Sequence, residues 1–224
     1  MRLSELYTSV QGEGPNVGIP IQFVRFGGCN YRCPGWPCDT QYAIDPRYSG
    51  EWESVGVSEL LVRTKSWPKH VCLTGGEPLT QRSSDLKNYV DMLTQEGYRI
   101  DLFTNGSQDL PNWASRFNTT IVMDWKLSGS GEGDKDLETR GNNRCLLAMK
   151  DAVKFVVADN GDLLEAQAWY NKWGGSPIHQ VFVGAVWGQI PDHEIIKFIT
   201  DNQLPWKLNV QVHKHIWAPD LRGV

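Results

Sequence analysis

The chain alternates between short β-branched runs and segments of helical period, and this alternation restricts its folds more than any other feature. Strands are expected at 21–26, 70–74, 99–104, 120–125, 153–157, 179–183 and 208–212. Between them, Leu86, Tyr89, Val90 and Leu93 recur at i, i+3, i+4 and i+7, which turns one apolar face of a helix inward. Ile195, Phe198 and Ile199 repeat the pattern behind a Pro191-Asp192 helix start, and 57–62 and 163–173 complete the helical set. Strand–helix alternation implies a parallel sheet with helices outside, because parallel strands need long crossovers. In 224 residues about six to seven such strands fit, short of an eightfold barrel. The expected fold is therefore α/β, a partial, open parallel β/α barrel, with 1–224 as a single domain. Glycine-rich or polar clusters follow the strands directly: Gly27-Gly28-Cys29, Gly75-Gly76-Glu77-Pro78, Asn105-Gly106 and Lys126-Leu127-Ser128. In such folds the chemistry collects at the C-terminal ends of the strands.

Composition narrows the function classes. The net charge is −4 and no basic run is present, so no nucleic-acid partner is expected. No apolar run approaches the ~18 residues of a membrane span, and the start Met-Arg-Leu-Ser-Glu-Leu-Tyr lacks the apolar stretch of a secretion signal. A cytoplasmic protein without membrane attachment is expected. Five cysteines is an odd number and three are clustered, which argues against a disulfide framework.

Those three lie in Gly28-Cys29-Asn-Tyr-Arg-Cys33-Pro-Gly-Trp-Pro-Cys38-Asp39-Thr40. Three thiolates supply one ligand too few for a saturated site. On the cysteines alone, a structural zinc site completed from elsewhere and an iron–sulfur cluster with an open position both remain. Thr74-Gly75-Gly76-Glu77-Pro78 offers two glycines that permit close backbone approach, beside a carboxylate able to accept from an ammonium group. Its plainer reading is a tight strand–helix turn. Cys72 and Cys145 read as buried apolar residues. The Trp169–Trp173 region reads as core or as a contact between copies.

With the cysteines, this glycine segment resembles the radical S-adenosylmethionine (SAM) enzymes. In them a cysteine triad binds a [4Fe–4S] cluster whose open iron takes SAM, and the Gly-Gly-Glu segment holds the methionine ammonium. A narrower resemblance, to the 7-carboxy-7-deazaguanine synthase family, rests on Tyr7-Thr-Ser-Val10-Gln11-Gly12-Glu13-Gly14, Gly18-x-Pro20, Phe23-x-Arg25-Phe-x-Gly-Cys29-Asn30 and Cys38-Asp39-Thr40. Thr74 to Pro78, Thr104-Asn-Gly106, Lys154-Phe-Val156 and Gln211-x-His213-Lys214-x-x-Trp217 extend it over nearly the whole chain.

The resemblance implies a lyase that converts 6-carboxy-5,6,7,8-tetrahydropterin to 7-carboxy-7-deazaguanine with loss of ammonia, in 7-deazapurine (queuosine-type) biosynthesis. It implies Cys29, Cys33 and Cys38 as cluster ligands within a loop at 27–40, and Thr40 as a ligand of Mg²⁺. Val10, Gln11, Gly12, Glu13, Arg25, Thr74 and His213 are implied for the pterin substrate, with Arg25 on its carboxylate. Pro37, Asp39, Gly75, Gly76, Glu77, Asn105, Asp124, Lys126 and Ser128 are implied for SAM. No protein group acts as a catalyst beyond positioning cofactor and substrate. An electron donor such as a flavodoxin and a homodimer are the implied protein partners.

Each residue also has a structural alternative. Arg25 also reads as a surface strand residue, Glu13 as a loop cap, Thr40 as a helix-cap or turn hydroxyl and His213 as the closure of a sheet edge. The spacing departs from the superfamily's Cys-x3-Cys-x2-Cys: here it is Cys-x3-Cys-x4-Cys, with two prolines in the longer gap, and Trp36 stands in as the aromatic residue beside the last cysteine. The segment 41–54 reads as a local insertion. The rival classes are a glycyl-radical activase and a non-catalytic zinc or iron–sulfur module.

Overall fold

The β-branched runs pair as their pattern demands. In a computed structural model describing residues 1–36 and 38–224, the described residues form one nine-stranded sheet. The strands are β1 (Arg2–Val10), β2 (Pro20–Phe26), β3 (Glu53–Ser54), β4 (His70–Gly75), β5 (Arg99–Thr104), β6 (Thr119–Asp124), β7 (Ala152–Val157), β8 (Gln180–Ala185) and β9 (Lys207–Leu208). Their spatial order is β3-β1-β2-β4-β5-β6-β7-β8-β9. From β2 through β9 every neighbouring pair is parallel, while β1 pairs antiparallel with both β2 and β3. The edge strands β3 and β9 have only two residues each, and the sheet stays open.

Among the described residues, seven α-helices accompany it: α1 (Gln41–Ile44), α2 (Val57–Arg63), α3 (Ser83–Gln95), α4 (Leu137–Cys145), α5 (Asn160–Lys172), α6 (Asp192–Asp201) and α7 (His213–Ile216). None among the described residues is long and apolar enough to cross a membrane.

Period two divides the sheet cleanly. Val24, Val71, Leu73, Ile100, Leu102, Met123, Val153, Phe155 and Val183 join the hydrophobic core with Leu86, Tyr89, Val90 and Leu93 of α3. The alternate residues Phe23, Arg25, Cys72, Thr74, Phe103, Val122, Asp124 and Lys154 face a cavity inside the curved sheet. Burial of each large core side chain contributes about 1.5–3 kcal/mol. The second face is therefore free to carry polar groups.

Four expectations are corrected. The strand β1 lacks an apolar run; most of its residues are only half-buried, which hid it from pattern reading. Helix α4 was also unforeseen, because the residues it buries are Arg140 and Asn143. Cys145 at its end is exposed, not buried, whereas Cys72 is buried as expected. The strand expected at 208–212 stops at Leu208. Beyond it, the chain turns its hydrogen bonds to the loop at 11–14: Val212 N donates to Gly12 O at 3.2 Å, and His213 opens α7 instead of closing an edge.

The segment 41–54 forms α1, a 3₁₀ turn (Pro46–Glu51) and β3. It supports the start of the cysteine loop: Gly28 N donates to Ala43 O at 2.7 Å, and the Trp52 ring packs where a Gly27 side chain would stand. Trp169 and Trp173 pack edge-on to buried Trp125, with ring centroids 4.9 Å away in both cases.

Ile100 is fully buried and Val62 is 85% exposed. Replacing Ile100 with Ala should lower the unfolding free energy by about 2–5 kcal/mol, whereas Val62→Ala should change it by no more than about 0.5 kcal/mol. Urea denaturation of the two variants checks this difference.

Candidate active site at the mouth of the sheet

A cavity of about 580 Å³ opens at the C-terminal ends of the parallel strands. That is within the usual range for a small-molecule site. Its floor is the loop 11–19, which folds back into the barrel. Gln11 N donates to Ile19 O and Gly18 N to Gln11 O, both at 2.8 Å. Two side chains of the loop reach down to one buried carboxylate: Gln11 Nε2 donates to Asp101 Oδ2 at 2.9 Å and Asn16 Nδ2 to Asp101 Oδ1 at 2.8 Å. His70 Nε2 lies 2.8 Å from Asp101 Oδ1. Asp101 thus takes one of the two N–H donors of the Gln11 amide. Gln11 Oε1 is left without a protein donor among the described residues, on a side chain that lines the cavity.

Gly14 has φ +74° and donates its N–H to Asn209 Oδ1 at 2.9 Å. Gly12 packs against the His213 ring so closely that a side chain there would overlap it. Burial holds His213 below the ordinary imidazole value, which keeps the ring neutral near pH 7.

Above the floor runs a series of charges of alternating sign. Glu13 Oε2 accepts from Lys154 Nζ at 2.8 Å and Glu13 Oε1 from Gln211 Nε2 at 2.9 Å. Lys154 Nζ also stands 3.8 Å from Asp124 Oδ1, and Asp124 Oδ2 accepts from Lys126 Nζ at 2.8 Å. Burial pushes each of these groups toward neutrality, but the paired charges outweigh it. Glu13 and Asp124 are held below the usual carboxylate range, and Lys154 and Lys126 above the usual ammonium value. Asp124 Oδ1 is buried without a hydrogen-bond partner among the described residues and faces Lys154 Nζ at 3.8 Å.

Arg25 is not a surface residue; only 13% of its side chain is exposed. Its Nε donates to Glu5 Oε2 at 2.8 Å and its Nη2 to Tyr7 Oη at 2.9 Å. Glu5 also accepts from Tyr42 Oη and pairs with Arg222 Nε at 3.2 Å. One edge of the guanidinium is therefore committed to the protein. Nη1 has no protein partner among the described residues and remains for an anion in the cavity.

The three cysteines are free thiols at the cavity wall. Cys29 Sγ accepts from Tyr31 N at 3.4 Å and Asn105 Nδ2 at 3.8 Å, contacts that suit a ligating thiolate. Burial pushes the Cys29 thiol up to about 11 and raises Cys33 as well. Among the described residues, no three His, Cys, Asp or Glu side chains converge as a single ion would require. Three free thiols on the wall of one cavity have the donor set of a cluster, whose ligands sit on separate irons. Thr40 occupies the cap position of α1 but makes no capping hydrogen bond; its Oγ1 lies 3.4 Å from Cys38 Sγ.

Of the other residues singled out in the sequence, Val10, Asp39, Thr74, Gly75, Gly76 and Asn105 line the same cavity. Asp39 also meets Lys214 Nζ at 3.5 Å. Glu77 and Ser128 are not on its wall. The Glu77 carboxylate is fully buried and accepts from Leu79 N, Thr104 Oγ1 and Asn105 N at 2.6–3.0 Å. Ser128 N donates to Glu165. Pro37 lies outside the described residues. The two glycines before Glu77 serve the cysteine loop directly: Gly76 N donates to Phe26 O and Glu77 N to Gly28 O, at a separation that side chains on Gly75 or Gly76 would prevent.

Sequence reading gave no role to Asp101, Lys154, Glu5 or Tyr42. A charge in the middle of a β-branched strand, as in Arg99-Ile-Asp-Leu and Ala152-Val-Lys-Phe, was the available signal for the first two. The residues at 219–224 also line the cavity.

An open parallel sheet with a cysteine loop at its mouth is the architecture of the radical SAM enzymes. The structure of QueE from Escherichia coli superposes with a TM-score of 0.71, covering 94% of this chain and 93% of that one at 22% identity. Streptococcus suis SuiB, solved bound to S-adenosylmethionine, superposes at 0.54 over 84% of this chain and 49% of that one, at 13% identity. Among sequences, the 7-carboxy-7-deazaguanine synthase of Clostridium acetobutylicum is 33% identical over all of this chain and 99% of its own length. That of Thermoplasma acidophilum is 34% identical over the full length of both. No family model matches the chain. Identity above 30% over whole chains makes this protein a member of the 7-carboxy-7-deazaguanine synthase family.

Burial pushes the Glu77 carboxyl up to about 7, against the Asn105 and Leu79 amides and the Thr104 hydroxyl, which favour its charged form. A carboxyl raised on folding stabilises the protein most at low pH. That contribution is lost as pH rises from 4.5 through about 7. The melting temperature of the metal-free protein should therefore fall more over this interval than that of Glu77→Gln. Equal slopes in calorimetry would contradict the assignment.

Proposed function

We propose that this chain is a radical SAM lyase that rearranges 6-carboxy-5,6,7,8-tetrahydropterin to 7-carboxy-7-deazaguanine and ammonia, within 7-deazapurine (queuosine-type) biosynthesis. The observation that carries the reading is a single cavity faced by three free thiols, an acceptor-rich floor and an open guanidinium edge. Residues 1–224 act as one domain.

Cys29, Cys33 and Cys38 would hold a [4Fe–4S] cluster, with Gly75, Gly76, Asn105, Asp124 and Lys126 bordering SAM. When bound, cluster and SAM together supply the one-electron chemistry that starts the rearrangement. The protein's own work is positioning. Gln11 Oε1 and the Glu13 carboxylate present acceptors two residues apart, which suits the adjacent N–H donors of a 2-amino-4-oxo pterin edge. Lys154 and Gln211 fix the Glu13 carboxylate while leaving lone pairs for the ligand. Arg25 Nη1 would take the substrate carboxylate, and neutral His213 borders the ring through Gly12. Thr40 Oγ1 would offer Mg²⁺ an oxygen ligand beside the substrate carboxylate and water. Closing these groups around the pterin holds it in reacting geometry and keeps solvent out. A cytoplasmic donor such as a flavodoxin would supply electrons, and the open sheet would dimerise.

The direct test is anaerobic turnover after reconstitution with iron and sulfide, with SAM, Mg²⁺, a reductant and 6-carboxytetrahydropterin. Mass spectrometry should find 7-carboxy-7-deazaguanine. Cleavage of SAM to 5′-deoxyadenosine without that product would leave the reaction class and overturn the substrate.

Two variants divide the roles. Cys33→Ala should abolish cluster assembly, read as loss of iron. Arg25→Ala leaves Tyr42 and Arg222 on Glu5, so cluster content and SAM binding should persist while substrate affinity falls about 10-fold or more. Retained substrate affinity would remove Arg25 from the carboxylate.

A further inference from the structure

The long gap between Cys33 and Cys38 needs a physical account, because four intervening residues could let the cysteines wander. The structure shows the first part of this gap pressed onto a second loop, 128–136, which follows β6. Gly35 N donates to Ser130 O at 3.1 Å. Any side chain on Gly35 would overlap the Gly129 carbonyl, and one on Gly131 would meet the Pro34 ring at 2.6 Å. The two loops therefore touch backbone to backbone, and glycines on both sides make the contact possible.

Next to this contact stands the carboxylate of Glu132. Glu132 is 2% exposed. Its Oε1 accepts from Arg32 N at 2.8 Å and from Cys33 N at 3.3 Å. Cys33 has φ +44°, a left-handed conformation that is uncommon for a residue with a side chain. Something must hold it there, and the carboxylate bonded to its amide does so. The second loop is itself anchored. Buried Arg140 donates to Gly133 O at 2.9 Å and to Lys126 O at 3.3 Å, and its guanidinium lies 4.6 Å from the Trp125 ring centre. Ser130 Oγ accepts from Glu132 N and donates to Leu127 O. Tyr31, between the first two cysteines, donates to Asp136 Oδ2 at 2.9 Å.

We propose that the loop 128–136 is a mould for the cysteine loop, and that Glu132 is the positioning residue that sets Cys33 for an iron–sulfur cluster. The mould absorbs the extended spacing: Pro34 and Gly35 are spent on docking against Gly129–Gly131, so the added length leaves Cys33 in place. This rests on the cluster reading of the three cysteines.

The test compares wild type with Glu132→Ala, Glu132→Gln and Gly35→Ala, all reconstituted anaerobically with ferrous iron and sulfide. Iron content, the electron paramagnetic resonance signal of the reduced cluster and the rate of bleaching in air are read. Thermal melts of the metal-free proteins verify folding. Wild type should bind about four irons per chain. Glu132→Gln keeps an oxygen acceptor for both amides and should match it. Glu132→Ala loses the acceptor for both amides and the ion pair to Lys135, so it should fold but melt lower than wild type, bind cluster about 10-fold more weakly and bleach faster, with an altered resonance signal. Gly35→Ala, an exposed loop change that leaves the core intact, should do the same. Full iron retention and a wild-type signal in both Glu132→Ala and Gly35→Ala would overturn the proposal. So would Glu132→Gln failing as badly as Glu132→Ala, since charge and not amide bonding would then be responsible. Wild type that takes up no iron would remove the cluster reading itself, and the proposal with it.

Discussion

The functional end of this protein depends on the largely buried series Glu13, Lys154, Asp124 and Lys126. Each charge is costly to bury alone, and removing one partner of a buried pair typically costs about 3–5 kcal/mol. Together they join three pieces of chain: the floor loop through Glu13, β7 through Lys154, and the end of β6 with the residues just past it through Asp124 and Lys126. Misplacing any piece strands a charge. The site is therefore held in register with the sheet by electrostatics, while the hydrophobic face on the other side supplies the stability.

The same logic explains why the floor loop can be irregular. A loop inside a barrel must find partners for its polar groups. Asp101, Lys154 and the segment carrying Asn209 and Gln211 provide them, from three different parts of the chain. The loop carries glycines where the chain turns sharply and where His213 packs against it. Rigidity at the floor fixes which faces of Gln11 and Glu13 meet a ligand.

Most of the parallel sheet was legible in the sequence because its strands are buried on the helix side and alternate strictly. Val71, Leu73, Ile100 and Leu102 announce themselves; so do the polar clusters at the strand ends. The pieces that escaped bury polar groups or little at all. Helix α4 packs through Arg140 and Asn143, β1 is half-exposed along most of its length, and 209–212 leaves the sheet to bond the floor loop. Of the candidate site, the residues on strands and on the two loops meet in one cavity. Glu77 illustrates what pattern alone could not reveal. A carboxylate beside two glycines suggests a ligand contact, yet its oxygens are occupied by its own turn and by the end of β5, and the glycines bring the backbones of 26–28 and 75–77 together. Spacing indicates which groups are near the mouth; only hydrogen bonding shows which remain free.

The central claim is that one cavity holds the pterin with its ring on the floor loop and its carboxylate on Arg25. The most direct measurement is an anaerobic crystal structure of the reconstituted protein with SAM and 6-carboxytetrahydropterin. The account predicts hydrogen bonds from the pterin edge to Gln11 Oε1 and Glu13, and the carboxylate at Arg25 Nη1. A pterin bound elsewhere, such as the groove beside His70 and Arg99 at the opposite ends of the strands, would contradict it.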